Sequence, residues 1–157
     1  MQRNGMVWWG LLLVCTLGMS MVSCLAAATT MSCTPTRPDS LGPFYELGAP
    51  ERDRTGQGLL ITGMVRSARD CTPVSQARLE WWSANTRGNY DAAHRATQQA
   101  SAEGQYQYTT DSPGHYPGRP PHVHVRVSAP GYRTLVTQVY PQQGQTTVSL
   151  DFVLIPE

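Results

Sequence analysis

The sequence predicts an all-β fold, an antiparallel sandwich or barrel, on three observations. Short runs rich in Val, Ile, Thr and Tyr recur along the chain, Gly and Pro separate them, and residues 122–127 alternate strictly between polar and apolar. The 14 Gly and 12 Pro in 157 residues supply the turns such a fold needs, and the length allows one ordinary domain.

The elements follow in order. Residues 1–28 read as a secretory signal: Arg3 begins it, a mostly apolar run from Val7 to Leu25 fills it, and small residues end it. Two exits are written there. Ala26-Ala27-Ala28 offers an A-x-A cleavage site, whereas Met21-Val22-Ser23-Cys24 resembles a bacterial lipobox that would end the signal at residue 23 and lipidate Cys24. A retained membrane anchor is the third reading, disfavoured because no positive cluster marks a stop-transfer. Each places the domain outside the cytoplasm, and lipidation would attach it to a membrane.

Residues 29–57, with Pro35, Pro38, Pro43 and Pro50, read as an extended arm, and 58–157 as the β-domain. Within it the strand-like runs are 59–65, 77–82, 105–109, 122–127, 135–140 and 147–155. Residues 91–99 are rich in Ala and Gln and read as a helical turn or a loop. Trp81 and Trp82 point to opposite faces, so one is expected in the core and the other partly exposed. His94 and His115 are expected in solvent.

Composition excludes several functions. The net charge of +1 argues against a nucleic-acid binder, which needs a basic face. All 12 basic residues are Arg, so lysine Schiff-base chemistry and a P-loop lysine are both ruled out. Either signal cleavage removes Cys15, and the downstream pair Cys33 and Cys71 reads as a disulfide rather than a metal site or two unpaired buried thiols.

The chemistry-bearing stretch runs from Pro113 to Val127. On a strand His122, His124 and Arg126 share one face and Val123, Val125 and Val127 the other, so two imidazoles project together with the spacing of two cis metal ligands. On its own that pair is a weak signal, equally that of two histidines on a solvated face. Tyr116 lies in a constrained loop between Gly114 and Gly118, and Tyr90 follows Gly88-Asn89. A phenolate is a hard anionic ligand, and a metal draws its pKa down from about 10.

With these motifs in order, the sequence resembles the intradiol ring-cleavage dioxygenases, a family that includes protocatechuate 3,4-dioxygenase and catechol 1,2-dioxygenase. The resemblance spans Gly42-Pro43-Phe44-Tyr45, the run Ala77 to Tyr90, Gly104-Gln105-Tyr106, Pro113-Gly114, Tyr116, Arg119-Pro120-Pro121-His122-Val123-His124 and Thr137-Gln138-Val139-Tyr140. It implies an antiparallel β-sandwich and a mononuclear non-haem Fe(III), with Tyr90 and His122 equatorial and Tyr116 and His124 axial. It implies that a catechol chelates the metal as a dianion, displacing Tyr116, and that O2 opens the ring between the two hydroxyl-bearing carbons to a muconate-type diacid. Arg119 and Gln138 match the pair that stabilises charge developing on the ring, and Tyr45 would line the substrate mouth. Cys33 and Cys71 also match the cysteines of secreted members.

Departures bear on the substrate. The helical region that builds the dimer of catechol 1,2-dioxygenases has no counterpart in this sequence, Ser83 stands where relatives often carry His or Gln, and 91–103 is idiosyncratic. A homo-oligomer is compatible with the sequence. Arg52 or Arg54 is a candidate partner for a substrate carboxylate. The rival reading is a non-catalytic, transthyretin-like binding module, which would have no reason to keep two Tyr and two His at these spacings with Arg119 and Gln138.

Overall fold

In the computed structural model the structure describes residues 32–115 and 118–157, which form two packed β-sheets. Residues 1–28, expected to be a signal, with Cys24 among them, and Tyr116 lie outside the described residues. Eight strands occur among the described residues: β1 (Gly58–Ser67), β2 (Arg78–Ala84), β3 (Tyr90–Gln99), β4 (Gln105–Asp111), β5 (Val123–Ser128), β6 (Leu135–Val139), β7 (Thr147–Ser149) and β8 (Phe152–Leu154). One sheet has the order β3-β2-β5-β6 and is antiparallel throughout. In the other, β1 pairs antiparallel with β4 but parallel with β7 and with β8.

The core forms between the sheets because β-alternation sends one side of every strand inward. Val123, Val125 and Val127 of β5 are fully buried there, beside Leu79 and Trp81 of β2 and Leu59 and Ile61 of β1. Trp81 stacks on Tyr108 with centroids 4.6 Å apart, and Tyr106 stacks on Phe152 at 5.1 Å. Apolar surface on this scale, at about 25 cal/mol per Å2 buried, dominates the stability of the fold.

Three expectations about elements change. Residues 91–99 are strand, not helical turn or loop: β3 pairs with β2 from Gln99↔Arg78 to Arg95↔Trp82, and sheet pairing overrides the helix preference of Ala and Gln. Residues 147–155 are two strands, not one. The break at Leu150–Asp151 arises because the Asp151 carboxylate accepts hydrogen bonds from Met64 N (2.9 Å) and Arg66 Nε (2.7 Å). There the Leu150 carbonyl also lies against Gly63, where a Cβ would overlap it. The parallel pairings of β7 and β8 with β1 are the third, since antiparallel sheets alone were expected.

The described part of the arm runs along the antiparallel sheet without joining it as a full strand. Asp39 N donates to Val136 O and Arg52 N to Thr97 O, both at 2.9 Å, and Cys33 is joined to Cys71 by a disulfide. The outer face of that sheet is therefore covered in part, and Glu80, Trp82, His124 and Gln138 on it are buried.

Candidate metal centre

The site lies on that covered face. Because the valines of β5 point inward, His124 points outward, and His122, just before the strand, joins it. Both imidazoles are almost completely buried, at 4% and 2% exposure. Tyr90, the first residue of β3, brings its phenol to them across β2. Tyr90 Oη lies 3.2 Å from His122 Nε2 and 3.1 Å from His124 Nε2, and the two Nε2 atoms are 3.1 Å apart.

That near-equilateral triangle fits a metal. Ligands about 2.1 Å from a common ion at right angles stand about 3 Å from one another, which matches all three edges. The donor set is also in the right state. His122 Nδ1 lies 2.7 Å from the Pro120 carbonyl, which can only accept, so Nδ1 carries the proton and Nε2 presents its lone pair. Burial, then the nearby charges of His122 and Arg119, pushes the His124 pKa down to about 4, so its imidazole is neutral at neutral pH. His124 Nδ1 is buried without a hydrogen bond of normal geometry. Among the described residues no group of three His, Cys, Asp or Glu could hold a metal; the third donor here is a phenol.

Aromatic and arm residues wall the site. Trp82 stacks on His124 at 4.8 Å and 6°, and Phe44 of the arm stacks on Tyr90 at 4.2 Å and 16°. Gly42 lies so close to the His124 ring that a Cβ would sit 3.1 Å from Cε1, and its φ of +70° also favours glycine. Trp82 is thus as buried as Trp81, at 2% against 1%, correcting the expectation that one of the pair would be partly exposed. The arm makes the difference.

Tyr45 meets Trp82 edge-on at 5.1 Å and donates to Glu80 Oε1 at 3.1 Å. Glu80 is a buried carboxylate that also binds Arg126. Arg95, likewise buried, donates to the Phe44 carbonyl and, at 2.8 Å, to Glu46 Oε1. These anchors hold the Gly42-Pro43-Phe44-Tyr45 segment over the site.

Arg119 and Gln138 are brought together: Arg119 Nη2 donates to Gln138 Oε1 at 2.7 Å and to Tyr140 Oη at 2.8 Å. Tyr140 in turn donates to Asp39 Oδ2 at 2.7 Å, and Gln138 Nε2 donates to Ser40 O. The Asp39 carboxyl is held below its usual range by the Tyr140 hydrogen bond first and the Ser40 backbone second.

One further expectation is narrowed and another corrected. The Arg52 guanidinium, a candidate for a substrate carboxylate, is committed to the backbone carbonyls of Ala92, Ala93 and Arg95, whereas Arg54 is exposed and reaches only Gly56 O, at 3.4 Å. His94 is buried at 8% exposure between two carboxylates rather than solvated, while His115 is exposed. Sequence reasoning gave no role to Asp39, Phe44, Glu80 or Arg95. Only Phe44 carried a signal, as the neighbour of Tyr45 in the arm motif.

The family model described as Dioxygenase matches residues 45–154, which is most of the described chain and contains Tyr90, Arg119, His122, His124 and Gln138. The chain belongs to the intradiol ring-cleavage dioxygenase family. It is 30% identical over 135 residues to a hydroxyquinol 1,2-dioxygenase of Rhizobium sp., covering 64% of this chain and 45% of that protein. To catechol 1,2-dioxygenase 2 of Acinetobacter lwoffii it is 32% identical over 133 residues, covering 62% and 48%. The chain spans about half the length of the curated relatives it matches. Among solved structures, the dioxygenase domain of a dioxygenase carbohydrate-binding protein fusion from Streptomyces sp. SirexAA-E superposes with a TM-score of 0.72. It is 30% identical, covering 79% of this chain and all of that one. The β-sandwich is therefore an intradiol dioxygenase fold.

Proposed function

We propose that this protein is an Fe(III)-dependent intradiol dioxygenase that opens the ring of catecholic compounds between the two hydroxyl-bearing carbons, with both atoms of O2 entering a muconate-type diacid. The observation that carries this reading is the triangle of Tyr90 Oη, His122 Nε2 and His124 Nε2 with edges of 3.1–3.2 Å. One phenolate and two neutral imidazoles, with Tyr116 proposed as the second phenolate, suit a hard trivalent ion better than Zn(II) or Cu(II). Bound there, the ion would lower the pKa of the catechol hydroxyls and make the ring electron-rich enough to react with O2.

The protein's own residues do the rest. The Pro120 carbonyl keeps His122 in the ligating tautomer. Trp82 and Phe44 exclude water from His124 and Tyr90 by stacking on them. Arg119, held by Gln138 and Tyr140, presents a permanent positive charge that is already felt at His124, and it stabilises negative charge on the ring without giving up a proton. Export through residues 1–28, or lipidation of Cys24, belongs to the same reading, and the Cys33–Cys71 disulfide supports an oxidising compartment.

The test is product analysis on a panel of catechol, hydroxyquinol and protocatechuate with iron-loaded protein. One O2 consumed per diacid formed is expected. No O2 uptake with any of the three would contradict the proposal.

A further inference from the structure

Immediately after Tyr90 the chain leaves the regular ladder. Ala84 of β2 pairs with Tyr90 and Trp82 pairs with Arg95, so residues 91–94 bulge opposite Ser83 alone. A phenol anchored at the edge of such a bulge has no ladder on its C-terminal side to fix its direction.

Two side chains hold the bulge instead: the Arg52 guanidinium, which donates to the Ala92 and Ala93 carbonyls, and one buried imidazole that ties it to the opposite sheet. His94 Nδ1 lies 2.7 Å from Asp91 Oδ1, and His94 Nε2 lies 3.0 Å from Asp111 Oδ2. Asp111 is the last residue of β4, in the opposite sheet. Both ring nitrogens face carboxylates, so both are donors and the ring is an imidazolium spanning the two sheets. Both carboxylates are themselves fixed. Asp91 accepts from His94 N at 3.0 Å and from Asn85 Nδ2 at 2.9 Å, and Asp111 Oδ1 accepts from Gln57 N at 2.9 Å. A Cβ on Gly56 would overlap the Asp111 carboxylate, so that position is kept clear for it.

We propose that His94 is a positioning residue for the metal centre: by bridging Asp91 on β3 to Asp111 on β4 it fixes the bulge that Tyr90 begins, and so aims the Tyr90 phenol at His122 and His124. The inference rests on Tyr90 being a metal ligand. It makes the metal site depend on both sheets, although Tyr90 and His124 stand on one and His122 directly precedes β5 of that same sheet.

The experiment uses the full chain stripped of metal, with Fe(III) affinity measured by competition against nitrilotriacetate and the tyrosinate absorption band recorded on the same samples. His94→Gln, which cannot donate to two opposed carboxylates at once, should weaken Fe(III) binding about 10- to 100-fold, as loss of outer-shell partners does, and displace the band. Asp111→Asn keeps the Asp91–His94 pair and should move both readouts in the same direction by less. It decides the question if His94→Gln does not fold. Asp151→Asn breaks an ion pair with Arg66 in the other sheet, and should lower the melting temperature while leaving affinity and band unchanged. Wild-type affinity and an unshifted band in Asp111→Asn and in any folded His94→Gln would overturn the inference. Failure of the wild type itself to bind Fe(III) would overturn the metal reading beneath it, and the inference with it.

Discussion

The inner face of β5 is buried throughout and the outer face around His124, yet the two are built from opposite chemistry. On the inner face Val123, Val125 and Val127 are shielded by the second sheet, and burial needs nothing more than apolar shape. On the outer face an irregular arm covers His124 and leaves Arg126 half-buried, and most of the polar groups there are paired, Arg126 with Glu80 and Gln138 with the Ser40 carbonyl. A sheet roofed by a second sheet makes a core. A sheet roofed by an arm makes a site, because the roof can bring backbone carbonyls, carboxylates and aromatic rings to chosen atoms.

That contrast breaks most visibly when the inner face is cut. Trp81→Ala should destabilise the protein by about 3–5 kcal/mol, read by denaturant unfolding, since it opens a cavity against Tyr108 and Phe152. Metal affinity of the fraction still folded should be nearly unchanged. A stability loss below about 1 kcal/mol would mean that the inner face is not the close-packed core described here.

On the outer face the sign of the effect reverses, with chemistry lost and stability kept. Arg119→Ala should lower kcat by about 100- to 1000-fold, the usual effect of removing a donor aimed at developing charge, while the unfolding midpoint moves little. A variant with wild-type kcat would remove Arg119 from the mechanism.

How much of this was readable from the chain alone differs between the two faces. Alternation in 122–127 is local, so the direction of the valines and of the histidine pair followed from period two, and Tyr90, Arg119 and Gln138 were singled out by motif resemblance. The roof was not legible. Phe44 lies 46 residues from its stacking partner Tyr90, and Arg95 reaches back 51 residues to the Phe44 carbonyl, so no local pattern records either contact. The bulge after Tyr90 was missed for a related reason. Ala and Gln favour helix locally, and His94 becomes intelligible only once Asp111, on another sheet, is seen beside it. The parallel pairing of β7 and β8 depends on where the chain crosses between sheets, which strand periodicity does not encode.

The smallest expected effect separates two buried histidines. Burial alone would push the His94 pKa down, but its hydrogen bonds to Asp111 and Asp91 outweigh that and raise it above 6.5. Its contribution is therefore complete below the unfolded value and is lost as pH rises through the raised folded one. His124 behaves oppositely: its pKa is about 4 in the fold against 6.5 unfolded, so the metal-free protein loses stability as pH falls from 6.5 toward 4. Melting temperature should thus decline on both sides of a maximum near neutral pH, and His94→Gln should flatten only the alkaline side. An unaltered alkaline slope in that variant would contradict the imidazolium assignment.

The central claim is that the Tyr90, His122 and His124 triangle holds a ferric ion, and visible absorption of the iron-loaded protein tests it most directly. The wild type should show a broad tyrosinate-to-iron band that shifts when catechol is added. Tyr90→Phe should weaken that band, and His124→Ala should abolish stoichiometric iron binding. A colourless wild-type protein after iron loading, or a Tyr90→Phe spectrum identical to wild type, would contradict the account.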